Sequence, residues 1–478
     1  MRRSFAPLWA VAVCFAGCAT NPATGEKQFS LISEGQEIQM GLEADPSIVA
    51  SMGLDPDSGR QRYVRELGMR LARVSERPNL PWTFRVIDDP VVNAFAIPGG
   101  HIYVTRGILA HLNSEAELAS VLGHEIGHVT ARHSVTQMSR QQLAQFGLVV
   151  GTVLKPGLSR YAGIASQGLG VLFLKYSRDD ESQADQLGLR YMRRGGYDAH
   201  RMPEVFALLD RVSQASGGGR VPEWLATHPN PGNRRESIER QIATIPAESI
   251  GTVVNRDGYL RHIDGVVFGE NPRDGFFKGT EFFQPELKFR ITFPAGWKTQ
   301  NQRQAVVGVS EQQDAIEALS LSDQATPEAA AQAFFSKQGI RGSANRGSVH
   351  GLAAAGGLFS AITEDSTLLA GRVAFLAYDG RVYQLLAYAP QARWSAYAGA
   401  TDQSMGSFDR LTDPTLLAVQ PWHVQVVPVP QAMTIEAFVQ RYPGPAPAAT
   451  IALVNNVDAG TRFASGTLLK RIVGQPLP

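Results

Sequence analysis

The sequence predicts an α+β fold: a mainly helical first half with a small antiparallel sheet, then a β-rich α+β region and a short terminal module. Three observations predict it. Apolar residues recur at helical spacing before about residue 245, apolar–polar alternation takes over beyond residue 257, and 478 residues exceed what one ordinary core accommodates.

Within the first half, Tyr63, Leu67, Leu71 and Val74 form one helical stripe over 60–74. Residues 82–86 alternate like a half-buried strand, and 93–97 and 101–105 flank Pro98-Gly99-Gly100, which reads as strand, turn, strand. Ser114 with Glu117 forms a capping box that opens a helix running to about residue 131. A second helix covers roughly 177–193 and stops at Gly195-Gly196. Between them, 146–154 is apolar but too short to span a bilayer, so it reads as a buried helix or a lid. Gly217-Gly218-Gly219 reads as a flexible loop and 245–257 as the linker closing the first domain.

In the second half, Leu287, Phe289, Ile291 and Phe293 alternate with Lys288, Arg290 and Thr292. Thr326-Pro327-Glu328 opens a helix to about residue 337, and Asp379-Gly380 joins strands 373–378 and 381–388 in a hairpin. There is no internal repeat of solenoid type. The expected domains are a signal at 1–17, a first domain at 18–245, an accessory domain at 256–412 and a module at 419–474.

Hydrophobic content of 44% with 19% charged residues suits a folded chain and not a multi-spanning one. A net charge of +1 argues against a nucleic-acid partner, which would call for a basic surface. The two cysteines, Cys14 and Cys18, both lie at the extreme N-terminus, so no disulfide framework supports the body. Arg2 and Arg3 precede an apolar run over 5–15, followed by Ala16 and Gly17, the layout of an export signal. Residues 15–18, Phe-Ala-Gly-Cys, resemble the lipobox of bacterial lipoproteins, with Phe15 where Leu is usual. The resemblance implies cleavage before Cys18, lipidation of Cys18 and, with Ala19 after it, anchoring to the periplasmic face of the outer membrane. The alternative is an ordinary secretory signal with an incidental cysteine.

His124-Glu125-Ile126-Gly127-His128 is an H-E-x-x-H pattern inside the first long helix. Residues four apart share a helix face, so both imidazoles can reach one zinc ion. Glu125, rotated by about 100°, can flank the ion and act as general base toward the attacking water. A catalytic zinc needs a third ligand as well as an open position. His133 lies nine residues after His124, about 180° around a continuing helix, and reads as structural or surface. Glu181 is the better candidate, and Asp185, one turn on, can orient a zinc histidine through its outer nitrogen.

His124 to His128, followed by Glu181-Ser182-Gln183-Ala184-Asp185, resembles the M48 peptidase family, with its motifs HExxH and ExxAD. The resemblance covers roughly 30–245 and includes Asn93-Ala94-Phe95-Ala96-Ile97-Pro98-Gly99-Gly100 and Thr227-His228-Pro229 with Arg234. It implies a gluzincin-like zincin fold, peptide-bond hydrolysis and one zinc ion per chain. It also implies substrate binding at a cleft-edge strand by β-addition, through Asn93, Ala94, Phe95 and Ala96 with Arg234 nearby. His228 is expected to act in catalysis as a donor to the developing oxyanion and to gate the site as a latent zinc ligand, as in soluble relatives; the alternative is a turn histidine without chemistry.

Lacking the spans of the membrane-embedded members, the chain is similar to the soluble periplasmic lipoprotein branch, which handles outer-membrane protein quality control and assembly. Its expected partners are unfolded or misassembled envelope polypeptides and, through Cys18, the membrane. The expected activity is zinc-dependent endoproteolysis of such proteins, and the alternative is a chaperone or scaffold with rare cleavage. Residues 283–297 faintly resemble PsbP-like domains and 419–473 a degenerate LysM module without its Gly-Asp-Thr.

Overall fold

The structure, a computed structural model, describes residues 18–141, 176–215, 228, 231–363, 367–458 and 460–477. The expected signal at 1–17, the apolar segment 146–154 and the glycine loop 217–219 lie outside the described residues. Two compact units are present, one formed by residues up to 270 together with 422–474, the other by 271–421.

The first unit begins with a hairpin, β1 (Cys18–Thr20) and β2 (Lys27–Phe29), followed by α1 (Glu34–Met52) and α2 (Ser58–Ala72). Helix α2 is capped by Asp57, whose side chain accepts from Arg60 N, and it buries Val64, Leu67 and Leu71. Strands β3 (Thr83–Ile87), β4 (Ala94–Ile97) and β5 (His101–Thr105) form one sheet in the order β3-β5-β4. It is mixed where the sequence suggested an antiparallel sheet: β4 pairs antiparallel with β5, but β3 pairs parallel with it. Periodicity shows the β4–β5 hairpin; it does not show that the chain places β3 on the far side of β5. Gly99 and Gly100, at φ 86° and 95°, make that tight turn in a region most L-residues avoid.

After the short α3 (Arg106–His111) come α4 (Glu115–Thr130), α5 (Arg178–Arg194), α6 (Arg201–Ala215), α7 (Pro231–Ala243) and α8 (Arg256–Ile263). The start of α4 is fixed from several sides. Ser114 caps it by accepting from Glu117 N, while the Glu117 carboxylate takes Asn113 N–H at 2.7 Å, one residue earlier than a standard capping box. Glu115 accepts from Tyr63, Arg70, Tyr197 and Asn255 at 2.6–3.0 Å.

The stretch 245–257, expected as a linker, is instead bonded to the first unit: Thr252 N and Val253 N donate to Gly196 O, and Ala116 N donates to Val254 O. The module expected at 419–474 is likewise no separate body. Its strand Trp422–Pro428 pairs with Leu468–Val473 and with Val267–Phe268. Phe438, Ile451, Leu469 and Ile472 share one core with Tyr259, Leu260, Ile263, Leu122 and Leu187. Local pattern reveals the elements; which core buries them is a long-range property that spacing does not encode.

The second unit is built, among its described residues, on an eight-stranded antiparallel sheet with a four-stranded sheet beside it in sequence. Helix Pro327–Phe335 packs through Ala330, Ala331 and Phe334 onto Phe359, Val373 and Phe375. The hairpin turns at Asp379 and Gly380, with φ 49° and 72°, and Tyr378 pairs with Arg381, as the Asp-Gly pair predicts.

Candidate metal centre

Helices α4 and α5 carry His124, His128 and Glu181, and their closeness is set by small residues. A Cβ added at Gly188 of α5 would lie 2.9 Å from His124 N, and one at Gly127 of α4 would lie 2.9 Å from Ala184 O. With Gly123 facing Gly188 as well, α4 and α5 touch backbone to backbone. That contact lets the short reach of Glu181 and Asp185 meet the histidines of α4. Spacings of four, Gly123 to Gly127 and Ala184 to Gly188, are the signal of this contact in the sequence, and motif reasoning passed over them.

His124, His128, Glu181 and His228 are all buried and offer donor atoms within 4.8 Å of one another. His124 Nε2 lies 3.0 Å from His128 Nε2 and 3.3 Å from His228 Nδ1, and His228 Nδ1 lies 2.8 Å from Glu181 Oε1. The Glu181 oxygens stand 3.5 Å and 3.6 Å from His128 Nε2 and His124 Nε2. Four donors about 2.0–2.2 Å from one tetrahedral zinc would lie roughly 3.3–3.6 Å apart, so the set fits such an ion. His124 Nδ1, 2.9 Å from Asp185 Oδ1, is suited to carry the ring proton, which leaves Nε2 as a lone pair turned into the set.

Burial would push Glu181 up, but the His228 and His128 imidazoles hold its carboxyl well below the usual range. Burial equally opposes ionisation of Asp185, and the Arg234 guanidinium and His124 outweigh it. His128 is held well below its ordinary value by burial and by His124. His228 goes the other way, because the Glu181 carboxylate overcomes its burial.

Glu125 differs from the donors. It is 1% exposed, and neither carboxylate oxygen has a hydrogen-bond partner among the described residues. Burial raises its pKa, with His228 and His124 offsetting only part. Its Oε1 lies 3.6 Å from His228 Nε2. A buried carboxyl without a partner is costly and marks a place where a ligand or substrate completes the site.

Arg234, expected near substrate, sits behind the donors. Its Nε and Nη2 donate to Asp185 at 2.7 Å and 2.6 Å, and Nη1 lies 2.7 Å from Glu181 Oε2 as an ion pair not aligned for a hydrogen bond. Two buried carboxylates in a low-dielectric setting need this counter-charge, which accounts for its position. Of the other residues expected at substrate, Asn93, Ala94 and Ala96 are buried, and Phe95 is half-buried and stacks on Tyr103. Strand β4 keeps one edge unpaired among the described residues, the feature β-addition would use.

His133, read from the sequence as structural or surface, is buried and stands outside the donor set. It is 4% exposed, and its Nδ1 lies 2.9 Å from His128 Nδ1. Helical phase misplaces it because α4 ends at Thr130 and Arg132 takes a left-handed φ of 61°. Tyr176, which no motif pointed to, stacks on His128 at 3.9 Å and bonds Ser134 Oγ at 2.8 Å.

Comparison with known proteins agrees with this geometry. Residues 58–242 match the model of Peptidase family M48. The chain is 34% identical over 234 residues to the "Beta-barrel assembly-enhancing protease" of Escherichia coli (strain K12), covering 47% of each chain. It is 32% identical over 253 residues to the "Putative beta-barrel assembly-enhancing protease" of Vibrio cholerae, covering 50% of this chain and 52% of that one. The "Mitochondrial metalloendopeptidase OMA1" of Arabidopsis thaliana is 34% identical over 171 residues, which is 36% of this chain and 33% of that one. The chain thus spans about half the length, or less, of the curated relatives it matches. Residues 58–242 are thus an M48 peptidase region, and His124, His128, Glu181 and His228 form its buried candidate metal site.

Proposed function

We propose that this chain is a zinc-dependent endopeptidase of the bacterial periplasm that cuts misfolded or stalled envelope proteins, outer-membrane β-barrels among them. The observation that carries the reading is the pairing of a converged donor set with Glu125, a buried carboxyl beside it that has no hydrogen-bond partner among the described residues. In this reading one zinc ion is held by His124, His128 and Glu181, with Asp185 orienting His124. A bound zinc would supply Lewis acidity toward the scissile carbonyl and acidify water in the site. Glu125 takes the proton of the attacking water and returns it to the departing amine nitrogen. His228 Nε2, facing Glu125, is placed to donate to oxygen charge as it develops. The free edge of β4, with Asn93 to Ala96, holds the substrate backbone extended.

The substrate class rests on the names of the bacterial relatives, which match this chain over about half its length. Cys18, followed by Ala19, supports a lipid anchor in the outer membrane, and no helix among the described residues is long and apolar enough to cross a membrane. Cys18→Ser is expected to release the protein from the membrane fraction. A second reading, a periplasmic chaperone or scaffold with latent proteolysis, is favoured by one observation. His228 Nδ1 lies within the donor set, where it would occupy the position a substrate needs. Cleavage of an unfolded protein by the purified chain, with and without chelator and beside Glu125→Gln, separates the two readings.

A further inference from the structure

His128 has an outer nitrogen as well as an inner one, and the residues behind it form a chain. His128 Nδ1 lies 2.9 Å from His133 Nδ1, and His133 Nε2 lies 3.0 Å from Gln183 Oε1. The same Gln183 oxygen accepts Asn21 Nδ2–H at 2.9 Å. The direction of each link follows from the first. If His128 Nε2 is a lone pair turned into the donor set, its proton is on Nδ1 and must be donated to His133 Nδ1. His133 then carries its own proton on Nε2 and donates it to Gln183.

Asn21 is held firmly enough to end such a chain. It is 5% exposed, its Oδ1 accepts Ala23 N–H at 2.9 Å, and its backbone bonds Gly25 and Glu26 across the β1–β2 turn. The chain that follows is fastened to the turn after α4 and to the helical stretch beyond it: Arg132 Nη2 donates to Ile32 O at 2.7 Å, and Leu31 N to Ser139 Oγ at 3.0 Å. We infer that His133, Gln183 and Asn21 are positioning residues that hold His128 in the tautomer that turns Nε2 toward the metal, and so tie the N-terminal hairpin to the metal centre. The two histidines of α4 are then oriented by different chemistry. Asp185, a carboxylate backed by Arg234, serves His124; the His133 imidazole, bonded to the Gln183 amide and with Asp180 Oδ1 3.8 Å from its Nε2, serves His128.

The inference rests on His128 being a metal ligand, so the test includes that residue. Zinc affinity of the full chain is measured by competition with a chromogenic chelator for the wild type, His128→Ala, His133→Ala, His133→Asn, Gln183→Leu and Asn21→Ala, with melting of each metal-free protein alongside. His133→Ala is expected to bind zinc about 10- to 100-fold more weakly. His133→Asn, whose amide oxygen can still accept from His128 Nδ1–H, is expected to recover most of that loss. Gln183→Leu and Asn21→Ala are expected to shift affinity the same way by less, without lowering the melting temperature of the metal-free protein. Wild-type affinity in His133→Ala, or no recovery in His133→Asn, overturns the relay while leaving the metal site standing. Unchanged affinity in His128→Ala overturns the metal reading itself. Should His133→Ala fail to fold, Gln183→Leu decides: weaker zinc binding supports the relay and wild-type binding overturns it.

Discussion

His228 presents its two ring nitrogens to different carboxyl groups, Nδ1 to Glu181 Oε1 at 2.8 Å and Nε2 to Glu125 Oε1 at 3.6 Å. One ring therefore links a candidate ligand to the candidate base, and its removal affects both. His228→Ala is expected to keep zinc, since His124, His128 and Glu181 remain, and to lower kcat by about 10²- to 10³-fold, as for loss of one oxyanion donor. Steady-state kinetics and metal analysis check this; a rise in activity would identify His228 as a block on the site instead.

Arg234 neutralises Asp185 and Glu181 together, and all three are buried. Arg234→Met leaves two buried carboxylates without their counter-charge, which is expected to cost about 3–5 kcal/mol of stability. Denaturant melts of the metal-free protein measure it, and a loss under about 1 kcal/mol would contradict the assigned role.

The contact of α4 with α5 depends on the absence of side chains. Gly188→Ala puts a methyl 2.9 Å from His124 N, against backbone that has no room to give. The helices must part, so zinc affinity and the melting temperature are both expected to fall. An alanine at solvent-facing Gly35, where a Cβ meets nothing within 4 Å, serves as the control and should change neither.

Lys470 reaches from the last strand to the C-terminal end of α3, where its Nζ donates to the carbonyls of Ala110, His111 and Leu112 at 2.7–3.1 Å. Lys470→Met leaves three buried carbonyls short of a donor and is expected to cost at least about 2 kcal/mol. A chain truncated before Trp422 should fail to fold, because Tyr259, Ile263 and Leu122 lose the partners they have in Leu469 and Ile472. A soluble, cooperatively melting truncation would show that the terminal segment is dispensable.

Glu317 in the second unit is fully buried, without a hydrogen-bond partner for either oxygen among the described residues, and burial pushes its carboxyl up to about 8 from 4.5. Between those values the folded chain keeps a proton the unfolded chain has released, so the contribution of Glu317 to stability is greatest below pH 4.5 and falls as pH rises toward 8. The slope is roughly 1 kcal/mol per pH unit. Glu317→Gln should flatten it, read from hydrogen exchange of the amides in Ile316–Ser322; an equal slope in both proteins would rule out Glu317 as its origin.

What spacing could carry was legible in the sequence. A helix turns by a fixed angle, so His124 and His128 share a face, and Glu181 and Asp185 share another. The Asp379-Gly380 turn and the Ser114 cap are local chemistry and appear where they were expected. His133 defeats a reading by helical phase, which holds only while the helix continues; Arg132 ends it with a left-handed turn that an arginine does not announce. Arg234 was expected near substrate because its place in a motif shows that it matters without showing which way it points. Residues 419–474 were expected to stand apart because a short strand, helix, strand pattern holds no record of the core that receives residues 422–474.

The proposed reaction turns on Glu125, the one buried carboxyl of α4's H-E-x-x-H segment, which lies beside the donors without joining them. The decisive measurement is hydrolysis of an unfolded casein by the wild type and Glu125→Gln, with bound zinc determined for both. One zinc per chain is expected in each protein, with cleavage by the wild type that a chelator abolishes and zinc restores, and none by Glu125→Gln. Cleavage by Glu125→Gln at the wild-type rate, or undiminished wild-type cleavage after the metal is removed, would contradict the role assigned to Glu125 and its metal.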